Sequence, residues 1–245
     1  MSVFVIADLH LSTNASTNKS MDVFGRRWQG YIDKIKKNWC AVVEDGDTVI
    51  VPGDISWAMN TDEARSDLLF LDALPGRKII SKGNHDFWWT TVTKMKNFFA
   101  LNNISTVDFL YNNAFEVENF IICGSRGWFN DESFQNTVGG TTVDYGKIVS
   151  REVIRLSLSL KAGKELQTIN NKEIIVFLHF PPFFGDFICR EIIDVLHAYG
   201  IKRCYYGHIH GNYYLPSRLE FEGIDFIISS SDYINFSPLP VYFEN

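Results

Sequence analysis

The 245-residue chain sets 29 acidic against 23 basic side chains, a formal charge of −6, with 46% hydrophobic and 21% charged residues. That apolar content supports a sizeable core and excludes a disordered or fibrous chain. The acidic balance excludes a broad basic face of the kind that holds nucleic acid, and at first sight it disfavours any phosphorylated substrate.

In chain order, Val3–Ala7 reads as a fully buried strand, and the Ser-, Thr- and Asn-rich residues 12–20 as a loop. From Trp28 onward Tyr31, Ile32, Ile35, Trp39 and Val42 recur at helical spacing, with Lys34, Lys36 and Lys37 on the polar face. Asp47–Val51 is a second buried strand. Asn60 with Glu63 forms a capping-box signature, and the helix it opens continues through Ala64, Leu68 and Leu71 until Pro75-Gly76. Lys78–Ser81 is a third strand, so the first 80 residues alternate as βαβ units.

Residues 105–124 read as short antiparallel strands turning at Tyr111-Asn112-Asn113, and the polar residues 130–142 as a mobile loop. Ile148, Val149, Val153, Leu156 and Leu160 mark a second long amphipathic helix. Ile174–Leu178 is a strand, Phe187–Tyr199 a helix closed by Gly200, Arg203–Tyr206 a strand, and the tail antiparallel β structure. No repeat, low-complexity tract or linker interrupts the pattern, so residues 1–245 read as one domain. Cys40, Cys123, Cys189 and Cys204 contain no CxxC pair; they predict buried small side chains rather than a disulfide framework or zinc knuckle. The start lacks a basic, signal-like region, and no apolar run approaches the roughly 20 residues of a membrane span. The expected location is the cytoplasm.

Five of the six histidines sit at predicted strand ends beside Gly, Asp or Asn. They fall in Asp8-Leu9-His10, Gly83-Asn84-His85-Asp86, His179 and Gly207-His208-Ile209-His210; Gly53-Asp54 ends another strand. Residues two apart on a strand share a face, so Asp8 with His10, and His208 with His210, can each chelate one ion. Carboxylate, imidazole and amide oxygen suit a borderline divalent metal such as Mn, Fe, Co, Ni or Zn. Asp8, His10, Asp54, Asn84, His179, His208 and His210 exceed what one open site uses. Asp54, with two oxygens, is the natural bridge between two metals, an arrangement that clamps phosphorus for in-line displacement. His85 lies near enough to donate a proton to the leaving oxygen or to stabilise the phosphoryl group, with Asp86 orienting it and favouring its protonated form.

The ordered set DxH, GD, GNHD, H and GHxH over residues 8–210 resembles the calcineurin-like metallophosphoesterases. The resemblance implies an α/β fold of two mixed β-sheets packed as a sandwich and flanked by helices. It implies one metal held by Asp8, His10, Asp54 and His210, and a second by Asp54, Asn84, His179 and His208, with His85 as the catalytic histidine. The activity implied is phosphoester hydrolysis by a metal-bridging hydroxide on a small phosphorylated substrate. One motif departs: where many members read GDxxD or GDxxN, this chain reads Gly53-Asp54-Ile55-Ser56-Trp57, so Trp57 either walls the pocket or fills core.

Arg126 follows a strand and is a candidate for bidentate phosphate binding. Trp88-Trp89 read as core, and Pro181–Gly185 as a candidate apolar lip. Two other functions fit the same residues: a nuclease-like phosphodiesterase, disfavoured by the acidic balance, and a catalytically silent scaffold for a protein partner. Neither oligomeric state nor substrate identity is written in the motifs. Two divalent ions outweigh the charges of Asp8 and Asp54, so a metal-loaded pocket is locally positive and the initial objection to a phosphorylated substrate falls away.

Overall fold

The structure is a computed structural model that describes residues 1–14, 19–128 and 145–242. Its strands are β1 (Val3–Val5), β2 (Thr48–Pro52), β3 (Arg77–Ser81), β4 (Val107–Phe109), β5 (Phe115–Val117), β6 (Phe120–Ser125), β7 (Glu173–Leu178), β8 (Phe183–Phe184), β9 (Phe187–Ile188), β10 (Arg203–Tyr206), β11 (Arg218–Phe221), β12 (Ile224–Ile228) and β13 (Leu239–Pro240). The helices are α1 (Tyr31–Val42), α2 (Thr61–Ala73), α3 (Val92–Leu101), α4 (Tyr145–Asn170) and α5 (Arg190–Ala198).

Two sheets face each other. The first runs β13-β1-β2-β3-β4, parallel except for the β13 edge. The second runs β11-β12-β10-β7-β6-β5, with a parallel centre and antiparallel edges. Alternation along each strand builds the layers. Val3, Val5, Ile50 and Ile79 point inward to meet Ile122, Ile175, Phe177 and Tyr205 of the other sheet. Their neighbours Phe4, Ile6, Val49, Val51 and Ile80 point outward onto Ile35, Trp39, Leu68, Met95 and Phe99 of α1–α3. On the far side Ile121, Cys123, Ile174, Val176 and Cys204 pack against Leu156, Leu160, Ile192 and Leu196 of α4 and α5. Strands buried on both faces must be apolar throughout, which is why these segments read as continuous hydrophobic runs.

The N-cap at α2 is present, Asn60 Oδ1 accepting from Glu63 N at 3.0 Å, but the reciprocal bond of a capping box is shifted by one residue, the Glu63 carboxylate accepting from Met59 N at 2.9 Å rather than from Asn60 N. Several expectations change. Helix α3, whose start is capped by Thr91, has no counterpart among the expected elements. β4 joins the first sheet in parallel with β3; only β5 and β6 form the antiparallel hairpin expected over 105–124. The tail is antiparallel only in part, because β12 lies parallel to β10 while β13 returns to pair with β1. The helix expected from Phe187 begins at Arg190, its first residues being used in the β8–β9 hairpin. Cys40 is exposed, on the outer side of α1, while the other three cysteines are buried. The loop expected over 130–142 lies outside the described residues. Among the described residues no helix is long and apolar enough to cross a membrane.

Candidate metal centre

Every parallel strand of the two sheets delivers its C-terminal end to one rim, the place where open α/β sheets bind ligands. Asp8 and His10 follow β1, Asp54 follows β2, Asn84 and His85 follow β3, His179 follows β7, and His208 and His210 follow β10. The backbone there is unusual. Asp8 (φ 60°), His10 (φ 45°), Asp54 (φ 51°) and His208 (φ 69°) all occupy the left-handed region. Each such non-glycine residue costs about 1–2 kcal/mol, so the turns hold a conformation that local preference opposes.

The motif glycines make room for the acids. A Cβ on Gly83 would lie 2.1 Å from Asp54 Oδ1, and one on Gly207 would lie 2.6 Å from Asp8 Oδ2. Backbone donors fix the same carboxylates: His85 N donates to Asp54 Oδ1, and His208 N to Asp8 Oδ2, both at 2.8 Å.

The remaining oxygen of Asp54, Oδ2, stands 3.7 Å from His10 Nε2 on one side and 3.6 Å from His179 Nε2 on the other. His210 Nε2 is 3.3 Å from His10 Nε2, and Asn84 Oδ1 is 2.6 Å from His179 Nε2. Asp8, His10 and His210 form one group of potential metal ligands, and Asp8, Asp54 and His179 another. Asp8 therefore stands within reach of both groups. Strand spacing suggested that His208 and His210 could chelate one ion; their rings instead turn to different neighbours. The chain has left the strand by then, and while His210 faces His10, the His208 ring lies 5.3 Å from that of His179.

The donor set fits metal ions. Asp8 Oδ1 is buried without a hydrogen-bond partner among the described residues, 3.5 Å from His179 Nδ1, an arrangement a folded protein seldom leaves uncompensated. His210 Nδ1 is bonded to Asp232 Oδ1 at 2.8 Å and His179 Nδ1 to Pro52 O at 3.2 Å, which leaves each Nε2 directed at the cluster. Burial lowers His10 and His179 well below the ordinary range, so they present neutral, ligating rings. Burial, with the neighbouring Asp86 and Asp8 carboxylates, raises Asp54; burial also pushes Asp8 up to about 6. Two buried carboxylates with so little counter-charge call for cations.

His85 borders the cluster. Its ring centroid is 5.6 Å from that of His10 and 4.3 Å from that of Trp57. Trp57 also stacks on His10 at 4.8 Å, so the residue that breaks the family pattern is a wall of the site. Asp86 does not orient His85. It is fully buried, and its carboxylate accepts from Ile55 N, Ser56 N, Gly83 N and Trp88 Nε1, tying the β2 and β3 turns together. Nor is His85 favoured as a cation: burial, with His210 and Lys19 nearby, pushes it down to about 4.

A cavity of about 590 Å³ opens over the cluster, bounded by Phe24, Trp28, Trp57, Phe184 and Tyr213. Phe184 places one residue of the predicted apolar lip here, whereas Phe183 packs inward on Phe221 and Phe226. Trp88 and Trp89 are core. Arg126 does not line this cavity; it lines a neighbouring one.

Asp232 went unnoticed in the sequence. It accepts from His210 Nδ1, Gly211 N and Tyr213 Oη, at 2.8, 3.1 and 2.9 Å. Burial would raise it, but the hydrogen bond from His210 and that residue's charge hold it below the usual carboxylate range. His210 in turn, though burial lowers it, is raised by that bond and by Asp8. The available signal was an acid closing Ser229-Ser230-Ser231-Asp232 immediately after an apolar strand.

The sequence model of the calcineurin-like phosphoesterase family matches residues 1–212. Among curated proteins none matches the chain. Solved structures share its fold. The phosphopantetheinyl hydrolase of Mycobacterium tuberculosis is similar at 15% identity and a TM-score of 0.53, the alignment covering 100% of this chain and 98% of that one. A protein of Thermus thermophilus is similar at 9% identity and a TM-score of 0.52, covering 94% and 89%.

Proposed function

The chain belongs to the calcineurin-like phosphoesterases, and from that premise we propose that it hydrolyses a small phosphorylated substrate at a centre of two divalent or transition metal ions. One observation carries the reading: a single carboxylate oxygen, Asp54 Oδ2, is nearly equidistant from the Nε2 atoms of two histidines on opposite sheets. In this reading Asp54 bridges, His10 and His210 complete one side, Asn84, His179 and His208 complete the other, and Asp8 supports both. Bound metals would supply Lewis acidity and a nucleophile at neutral pH.

The chain's own residues supply the rest. The backbone amides of His85 and His208 hold the two carboxylates in place, and Asp232 and the Pro52 carbonyl hold the histidine tautomers. His85, neutral near pH 7, carries a ring proton that can hydrogen-bond to the phosphoryl oxygens or the departing oxygen. Trp57 and Phe24 give the cavity apolar walls. The apolar walls favour a substrate with an apolar or aromatic part beside its phosphate.

Replacing His85 with Ala should leave two metals per chain by elemental analysis while lowering aryl phosphate turnover about 10²- to 10⁴-fold. Unchanged turnover would refute the role. Parallel assays on monoesters, diesters and DNA separate this reading from a nuclease, and a metal-replete protein inactive on all of them would favour the scaffold.

A further inference from the structure

A second cavity, of about 290 Å³, opens on the same rim. Lys82, which lines it, stands two residues before Asn84. Arg126 follows β6, and its carbonyl accepts from Phe180 N at 2.8 Å, one residue past His179. Arg151 and Arg155 reach the cavity from α4, one turn apart. Four cations thus border one small space in a protein whose net charge is −6.

Among the described lining residues the one acid is Glu152, fully buried. Its Oε1 accepts from Arg155 at 2.5 Å and lies 3.5 Å from Arg126 Nη2. Lys82 and Arg151 make no hydrogen bond or ion pair among the described residues. The guanidinium of Arg126 lies 5.6 Å from the Trp128 ring and 5.9 Å from the Phe180 ring, and that of Arg155 lies 5.7 Å from the Tyr111 ring. Aromatic faces and one shared acid hold the two forks, so little side-chain freedom is left to lose on binding. Like charges gathered in a concave space repel one another until an anion enters, and guanidinium forks match the oxygens of a tetrahedral oxyanion.

We propose that this cavity is a second oxyanion site, built for a phosphate-class dianion beside the Asp and His cluster. As a subsite for a second phosphate of the substrate it rests on the phosphoesterase reading. As a binding site for an oxyanion it does not.

The test is calorimetric titration of the metal-loaded full chain with sodium sulfate, at ionic strength held constant with chloride. Wild type should bind sulfate, and Arg126→Gln/Arg155→Gln should bind it at least tenfold more weakly. Because that pair of changes strips partners from Glu152, Lys82→Gln serves as the second variant. It removes no side-chain hydrogen bond or ion pair among the described residues, should unfold within a few degrees of the wild-type temperature in chloride, and should bind sulfate severalfold more weakly. Absence of sulfate binding by wild type, or equal affinity in wild type and both variants, overturns the proposal. Aryl phosphate turnover in sulfate identifies the source of the anion. A rate change that follows the wild-type binding curve and shifts to higher sulfate in Lys82→Gln marks a free oxyanion effector. A rate change identical in the two marks competition at the metal centre, and a rate unchanged with sulfate bound in the cavity marks a subsite for a second substrate phosphate. Sulfate binding in a chain inactive on every phosphoester would sink the phosphoesterase reading and leave this site standing.

Discussion

The first sheet buries charged groups at both of its ends, and the two ends treat them differently. At the N-terminal end Lys78 is fully buried, and its ammonium donates to the carbonyls of Asp72, Leu74 and Gly76 at 3.1, 2.6 and 2.8 Å. Asp47 there accepts from Ser2 N and Glu44 N, one bond to each oxygen. At the C-terminal end Asp8 and His10 are as deeply buried, yet Asp8 Oδ1 and His10 Nδ1 make no hydrogen bond among the described residues. Burial is therefore not what separates a structural charge from a functional one. Completeness is. The first end satisfies its own valences, whereas the second fixes geometry and leaves valences open.

The largest test of that contrast is Asp54→Ala, which removes the shared oxygen. Metal content should fall below two per chain, and aryl phosphate turnover should drop by roughly 10³-fold or more; two retained metals would refute the bridging role. Next is Asp232→Asn, which keeps the shape but weakens the hold on His210. Metal affinity should fall about 10- to 100-fold, measured by competition with a chelator.

Acid should act through the ligands whose protons a metal displaces, Asp8, Asp54 and His210. With the Asp8 carboxyl pushed up to about 6 by burial, the metal-free site carries a proton there below that pH, and a metal must displace it. His10 and His179, lowered by burial, are already neutral and offer no such competition. Asp54 and His210, raised as well, also hold protons that a metal must displace, so affinity should decline by at least about tenfold per unit below pH 6 and go on rising above it. The smallest effect on chemistry belongs to the opposite end. Lys78→Met takes the ammonium donor from the Leu74 and Gly76 carbonyls, while Asp72 O keeps Thr106 Oγ1, and should cost about 1–3 kcal/mol in denaturant unfolding. The kcat of the folded variant should not change.

The same contrast explains what could be read from the chain. The paired strands of the sandwich were legible because residues such as Val49–Val51 and Ile174–Leu178 are apolar on both faces, and the candidate ligands because they stand where those runs end. The α3 helix escaped because Trp88–Trp89 and Thr90–Thr91 blur its start, and its identity rests on Met95 and Phe99 meeting the sheet. Asp86 was misassigned because adjacency to His85 says nothing of direction; its oxygens turn away to four other donors. Asp232 lies 22 residues beyond the histidine it holds, and only the return of β12 beside β10 brings them together. The basic cavity was visible only as Arg126, because its other members are gathered from β3 and α4 by the packing of both sheets.

The left-handed turns at Asp8, His10, Asp54 and His208 carry a consequence for descent. Once chemistry is no longer selected, each of these positions gains from becoming glycine or asparagine, which adopt such a backbone at little cost. A lineage of this fold that has fallen silent should therefore show those two residues accumulating at the four turns while Asp86 and Lys78 persist. Retention of all four charged or imidazole side chains, as in this chain, is what continued use of the rim would preserve.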